Sequence, residues 1–310
     1  MHQQAVSRPV LSPPCDCCGR SEWEFIFRDK DVDLGRCRHC GLHYVAGLDA
    51  FQHYEDTGIL LDARLQLEDE RLRLEEFDGH IDLLKRFAPP GKWMDVGCGA
   101  GMLLQRAEKQ GIAGAGIELT PSRAALARAS TSAPIYERPL EDLHLPDHSF
   151  AAVIAINLFS HLRAPSETLA EIGRILVPGG VLLLVTAEIG PGLRKGHNFR
   201  WTLGEELYYL GDDTIEWYCR SLGFQLLTRE RKWLPNVLYS KQRFREKGSS
   251  RLRNLAKKAF LYTPGAFPLL RAFIVRKQRG NPIYSSTLVL RRAVPEQSAS
   301  ACTKGCLNHD

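Results

Sequence analysis

Two acidic side chains and three glycines carry the first chemical signal in this chain. Trp93–Gly101 reads WMDVGCGAG: a short apolar run holding Asp95, then Gly97, Gly99 and Gly101 at alternate positions, followed by an apolar helical pattern. Glycine lets a strand turn sharply into a helix and leaves bare backbone against which a ligand can lie. A pyrophosphate-binding loop of the form G-x-G-x-x-G would need glycine at 102, where the chain has Met102. Asp95 agrees, since a carboxylate just before the loop suits a cationic ligand carrying an amino group better than a phosphate. Glu118 ends the next strand pattern, in AGAGIEL. A carboxylate there can accept both hydroxyls of a ribose.

A second constellation lies near the N-terminus. Cys15 and Cys18, then eighteen intervening residues, then Cys37 and Cys40 give two C-x2-C pairs with zinc-ribbon spacing. Each pair is followed by a glycine, Gly19 and Gly41, which permits a tight knuckle whose backbone N–H groups point at the sulfurs. Cys17 is an adjacent spare, and His39 and His43 are alternative ligands. Four thiolates imply a closed, structural site with no open position for a substrate. Disulfides are the competing reading. The polar, proline-rich start MHQQAVSRPVLSPP, with no apolar leader, weighs against it and points to a cytoplasmic setting. Some thirty residues bury too little apolar surface to fold alone, so bound metal would supply folding free energy, on the order of 10 kcal/mol.

The elements that must position these groups follow from periodicity. Residues 62–87 are charged and helical in pattern, closed by Pro89-Pro90-Gly91. Strand and helix patterns then alternate: strands near 92–97, 113–119, 133–138, 150–156 and 181–187, helices near 101–110, 165–176 and 212–222, and one more opened by Thr120 and Pro121. Pro178-Gly179-Gly180 reads as a turn that stops a helix near Leu176 and starts the strand at Val181. Gly223 ends the last helix, and Phe224–Arg229 and Ser285–Arg292 read as final strands. The expectation is an α/β fold, a doubly wound, mostly parallel sheet of seven strands. The expected divisions are a disordered start 1–14, the ribbon 15–45, a helical connector 46–90, a catalytic domain 91–293 and a disordered tail 294–310. With 310 residues, 44% hydrophobic, the chain suits about two domains, and it lacks the eighteen-residue apolar run that a spanning helix needs.

In order and spacing, DVGCGAG, GIEL, LEDLHLPDHSF and EIGRILVPGGVLLLV resemble the motifs of class I S-adenosylmethionine-dependent methyltransferases of the ubiquinone-biosynthesis-like type. The resemblance covers roughly residues 91–230, with a looser match to about Arg292. It implies S-adenosylmethionine as cofactor, with Asp95, Gly97, Gly99 and Gly101 around its methionine part and Glu118 on its ribose. Leu140 and Glu141 would lie near the adenine, and Asn157 at the end of the fourth strand. His161, which follows that strand in INLFSHL, is the candidate general base. Relatives often place an acid before this histidine; here Ser160 stands instead. His197, Trp201, Glu205, Glu206 and Tyr208 fall on the substrate side, after the fifth strand.

Residues 237–282 form a basic insertion. Within 241–280, twelve Lys or Arg face one acid, Glu246, while Leu252, Leu255, Ala256, Ala259 and Phe260 repeat at helical spacing. Such a segment packs on its own domain, lies on an anionic membrane surface, or grips nucleic-acid phosphates, in that order of weight. The reading reached is methyl transfer to oxygen or carbon of a small-molecule acceptor: a sugar, a glycan or lipid precursor, or a secondary metabolite. The alternatives are an RNA base methyltransferase and a non-catalytic cofactor-binding scaffold. An Asn-Pro-Pro-Tyr-type base pocket is absent after the fourth strand, which places RNA second.

Overall fold

The computed structural model describes residues 13–29, 32–46, 66–191, 193, 206–232 and 282–294. Its larger sheet has seven strands in the order β10-β11-β8-β7-β4-β5-β6. The first to form in sequence is β4 (Trp93–Val96), which pairs in parallel with β5 (Gly114–Ile117) on one side and β7 (Phe150–Ile156) on the other. The chain runs outward through β5 to β6 (Ile135–Tyr136), then returns across β4 to β7 and β8 (Leu176–Ile189). That reversal makes a switch point between β4 and β7, where the carboxyl ends of parallel strands leave a crevice. At the far edge, β10 (Phe224–Lys232) and β11 (Ile283–Arg292) add antiparallel.

Helices cover both faces. On one, α1 (Gln66–Phe87) sets Ile81 and Leu84 against Trp93, Val181, Leu183 and Val185, with Leu103 and Ala107 of α2 (Met102–Glu108) beside them. The charged segment expected to be a connector is therefore, in its second half, a layer of the core. On the other face, α4 (Pro165–Ile175) and α5 (Asp212–Leu222) bury Leu169, Ile172, Ile175, Ile215 and Tyr218 against Met94, Val96, Leu182 and Leu184. Beside α2, α3 (Pro121–Ser130) packs Ala124 and Ala127 against Leu104 and Ile135; Thr120 takes its N-cap position, with Pro121 as its first residue. The Thr120 side chain makes no capping bond, and its backbone N–H goes to Glu118 instead. Gly223 closes α5 in the left-handed conformation, at φ 70°.

One expected turn is not a turn. Leu176–Gly180 already belongs to β8, and the pairing with β7 skips from Phe150 opposite Leu176 to Ala152 opposite Val181. Gly179 takes φ +77° there, so Pro178-Gly179-Gly180 forms a bulge inside the strand. A Pro-Gly-Gly signal reports the left-handed backbone that both turns and bulges require.

The cysteine segment builds a second sheet, β1 (Trp23–Asp29), β2 (Val32–Cys37) and β3 (His43–Ala46), all antiparallel. Its fourth strand, β9 (Tyr208–Tyr209), comes from the chain after β8 and pairs with β3. Cys15, Cys37, Cys40 and Leu42 share one buried cluster with α4, α5 and the large sheet. The basic segment 241–280, and His197, Trp201 and Glu205, lie outside the described residues.

Candidate functional site

The glycine loop turns back onto β5: the N–H groups of Gly97 and Cys98 both donate to the Ile117 carbonyl, at 2.8 and 2.9 Å. Gly97, Gly99 and Gly101 all have positive φ, 81°, 57° and 77°, conformations that side chains rarely adopt. Their surroundings separate their roles. A Cβ on Gly99 would meet open space, so this backbone is free for a ligand. A Cβ on Gly101 would stand 2.8 Å from Ser130 Oγ and 3.1 Å from Ala127 Cα, so this glycine lets α2 and α3 approach.

Both acids are buried beside this loop. Glu118 is held by two backbone donors, the Gly99 N–H at 3.0 Å and the Thr120 N–H at 2.8 Å, one on each carboxylate oxygen. That fixes the carboxylate at the end of β5 with lone pairs to spare. Burial, with Glu118 adding repulsion, pushes the Asp95 carboxyl up to about 7. A cation entering beside these acids would offset their repulsion and favour the ionised Asp95 carboxylate.

Asn157 follows β7 with φ 51° and donates its N–H to Val185 O at 2.7 Å. Asparagine is among the few residues that tolerate this region, and here it turns the chain across the crevice. Leu158 comes next and lies against Gly97. A 3-10 turn, Phe159–His161, then presents half-buried His161, while Ser160 is buried and accepts the Leu207 N–H through its carbonyl at 2.8 Å. Leu140 is buried in the core and Glu141 accepts a hydrogen bond from Thr168, so both are anchored from behind. Asp95 thus stands in the second half of β4, and the glycine loop, Glu118, Asn157 and His161 follow the carboxyl ends of β4, β5 and β7.

The cysteines converge separately. The Sγ atoms of Cys15, Cys18, Cys37 and Cys40 all lie within 4.8 Å of one another, with Cys15–Cys40 at 3.5 Å and Cys18–Cys37 at 3.6 Å. A tetrahedral zinc with Zn–S bonds of about 2.3 Å needs sulfurs about 3.8 Å apart, so the set fits. Gly19 and Gly41 close the knuckles through bonds to Cys15 O and Cys37 O. Burial alone would raise the Cys37 thiol, yet backbone N–H groups of Cys40 and His39 outweigh it and lower the pKa. Of the other candidates, Cys17 sits beside the set, its thiol in contact with Cys40 and Tyr218 and its carbonyl accepting from Trp217 Nε1 at 3.1 Å. His39 stacks edge-on against Trp217, and His43 is buried with Nδ1 unpartnered.

The ribbon's docking was not visible in the sequence. Asp16 Oδ2 accepts from the backbone N–H of Ser166 at 2.9 Å and from its hydroxyl at 2.7 Å, at the start of α4. Arg36 pairs with Asp213 at the start of α5, and a Cβ on Gly41 would come 2.9 Å from Asp213 Cβ. Nor did spacing reveal the buried Glu188, which accepts from Arg229 Nε (3.0 Å), Arg231 Nε (2.6 Å) and Ser286 Oγ (2.6 Å). Asp212 shares both arginines. These partners are distant in sequence.

A doubly wound sheet with a glycine loop, an acid near the end of its first strand and another just after its second has the features of a domain for a nucleoside-bearing, cationic cofactor. Residues 94–184 match the family model described as a methyltransferase domain. Curated relatives include a ubiquinone biosynthesis O-methyltransferase of Azoarcus sp. (strain BH72), 28% identical over 37% of this chain and 50% of that one. Another, from Xanthomonas oryzae pv. oryzae, is 29% identical over 39% and 51%. The chain spans about half the length of these relatives. Among solved structures, a geranyl diphosphate methyltransferase in complex with GPP and sinefungin superposes at a TM-score of 0.55, with 17% identity, over 77% of this chain and 86% of that one. A geranyl diphosphate C-methyltransferase of Streptomyces coelicolor A3(2) gives 0.51, with 13% identity, over 70% and 79%. These structures share the fold. Residues 94–184 thus resemble a methyltransferase domain, carried on the fold of class I methyltransferases.

Proposed function

We propose that this chain transfers a methyl group from S-adenosylmethionine to an oxygen or carbon of a small-molecule acceptor. The observation that carries the reading is the pair of buried acids at the ends of adjacent strands, Asp95 and Glu118, on either side of a left-handed glycine loop with open space at Gly99. Glu118, already oriented by Gly99 and Thr120, accepts the ribose hydroxyls; Asp95 faces the amino group; Leu140 and Glu141 flank the adenine. When bound, S-adenosylmethionine supplies an electrophilic methyl carbon. The protein's part is to align the acceptor in line with it and exclude water. His161, beyond Asn157 at the mouth of the crevice, accepts the acceptor's proton. The ubiquinone biosynthesis O-methyltransferases support oxygen, by their names, and the Streptomyces neighbour supports carbon.

The cysteine cluster would hold one zinc ion in a structural role. Among the described residues no helix is long and apolar enough to cross a membrane. Peripheral contact with an anionic membrane through 241–280 accompanies the reading as a proposal. Titration calorimetry with S-adenosylhomocysteine tests the cofactor assignment. Loss of hydrogen bonds to a carboxylate costs about 1.5–3 kcal/mol each, so Glu118→Ala should weaken binding at least about tenfold. Labelled S-adenosylmethionine offered with sugar-nucleotide, lipid and RNA fractions then identifies the acceptor. Incorporation into RNA alone would reverse the small-molecule reading.

A further inference from the structure

Leu207–Leu210 is tied on two sides. Toward the ribbon, Val45 N–H donates to Leu207 O at 2.9 Å, and β3 pairs Tyr44 with Tyr208 and His43 with Tyr209. Toward the catalytic crevice, Leu207 N–H donates to Ser160 O at 2.8 Å, Leu210 N–H to Ala187 O at 3.1 Å, and Ile189 N–H to Leu210 O at 2.8 Å. Rings follow the same path: Tyr44 to Tyr208 at 5.4 Å between centroids, then Tyr208 to Phe159 at 6.4 Å. The path starts in the second cysteine knuckle, where Cys37 N–H donates to Leu42 O, one residue before β3. It ends at Ser160, the neighbour of His161.

We propose that the thiolate-held ribbon is a positioning element for the acceptor side of the methyltransferase site, acting on His161 through β3, Leu207 and Ser160. The inference rests on the methyl-transfer reading given above. A C-terminal strand of the ribbon's own would complete β3 without touching the catalytic domain; here that edge is completed by chain that also grips the end of β8 and the turn after β7. Asp16 supplies a second lock. Its bonds to Ser166 fix the first knuckle to the start of α4, and Tyr218 Oη lies 3.0 Å from Ser166 Oγ. Two separate attachments hold the ribbon's orientation as well as its place. The proposed cofactor-binding acids, in β4 and just after β5, receive no part of this path, so the ribbon should govern the acceptor half of the site and leave the cofactor half alone.

The test compares the full chain before and after zinc is stripped by a chelator under reducing conditions. Hydrogen exchange by mass spectrometry reports on 158–162, 206–210 and 114–118, and calorimetry with S-adenosylhomocysteine reports on the cofactor half. Stripping should raise exchange at Leu207 and at 160–162 by about tenfold or more, leave 114–118 protected, and keep S-adenosylhomocysteine affinity within about threefold. Asp16→Ala, which leaves the four cysteines in place, should retain zinc and loosen the same segments; Asp16→Asn, which keeps an oxygen for Ser166, should restore them. Once an acceptor is in hand, Asp16→Ala should lower kcat with KM for S-adenosylmethionine unchanged. Unaltered exchange at Leu207 and Ser160 after stripping overturns the proposal. So does loss of protection throughout β4 and β5 together with cofactor binding, which makes the ribbon a general stabiliser. Failure of the zinc-loaded wild type to bind S-adenosylhomocysteine would sink the methyl-transfer reading itself, a separate result.

Discussion

Asp95 should make cofactor binding depend on pH near neutrality. Its carboxyl is pushed up to about 7, first by burial and then by Glu118, while the amino group of S-adenosylhomocysteine favours the ionised form. With a pKa near 7, the ionised fraction falls from about nine-tenths at pH 8 to about one-tenth at pH 6. Affinity should therefore fall about tenfold over that range, or about 1.4 kcal/mol, with about half a proton released on binding at pH 7. The linkage also has a sign in the ligand-free protein. The folded state holds a proton that the unfolded chain loses near pH 3.8, so Asp95's contribution to stability is complete below 3.8 and fades as pH rises to about 7. Calorimetry at pH 6, 7 and 8, in buffers of different ionisation enthalpy, reads both affinity and proton release. Asp95→Asn should flatten the dependence and bind more weakly at pH 8. Affinity that is level in the wild type, or rises toward pH 6, refutes the assignment of Asp95 to the ligand's cationic end.

Three further outcomes follow from the geometry. Protein purified reduced and without chelator should carry one zinc per chain by elemental analysis, and Cys37→Ser should lower both metal content and thermal midpoint. Gly101→Ala should destabilise by about 1–3 kcal/mol in denaturant titration, because its Cβ meets Ser130 and Ala127; Gly99→Ala, with open space around it, should cost less stability and more S-adenosylhomocysteine affinity. Arg229→Met should lower stability by about 1–3 kcal/mol, since Glu188 would keep only Arg231 and Ser286, and Arg229→Lys should recover part of it by the same titration.

Where periodicity and a local signal coincide, the sequence suffices. Asp212–Leu222 and Phe150–Ile156 fall where the apolar pattern places them, and the spacing of Asp95, the glycines and Glu118 marks the crevice before any coordinates. Local chemistry that serves two geometries does not suffice: Pro178-Gly179-Gly180 reads as a turn and forms a bulge. Pairings between distant residues left no trace. Tyr208–Tyr209 is too short to show a strand period, and its partner, Tyr44, is separated from it by the whole parallel sheet. The Asp16–Ser166 and Glu188–Arg229 contacts are polar and non-local, and nothing in residue type alone names the partner.

The borrowed strand also bears on synthesis. As the chain leaves the ribosome, β1–β3 emerge long before Tyr208, so the outer edge of β3 waits with unpaired backbone groups while β4 to β8 are made. An open strand edge of this kind invites pairing with other chains. Early metal capture by Cys15, Cys18, Cys37 and Cys40 would hold the knuckles through that interval, but it offers β3 no partner. The ribbon strands β1–β3, translated before the large sheet, are thus among the last parts to be completed. Newly made chains therefore pass through an interval of aggregation risk, with or without metal, even where the mature molecule, once closed, holds together well.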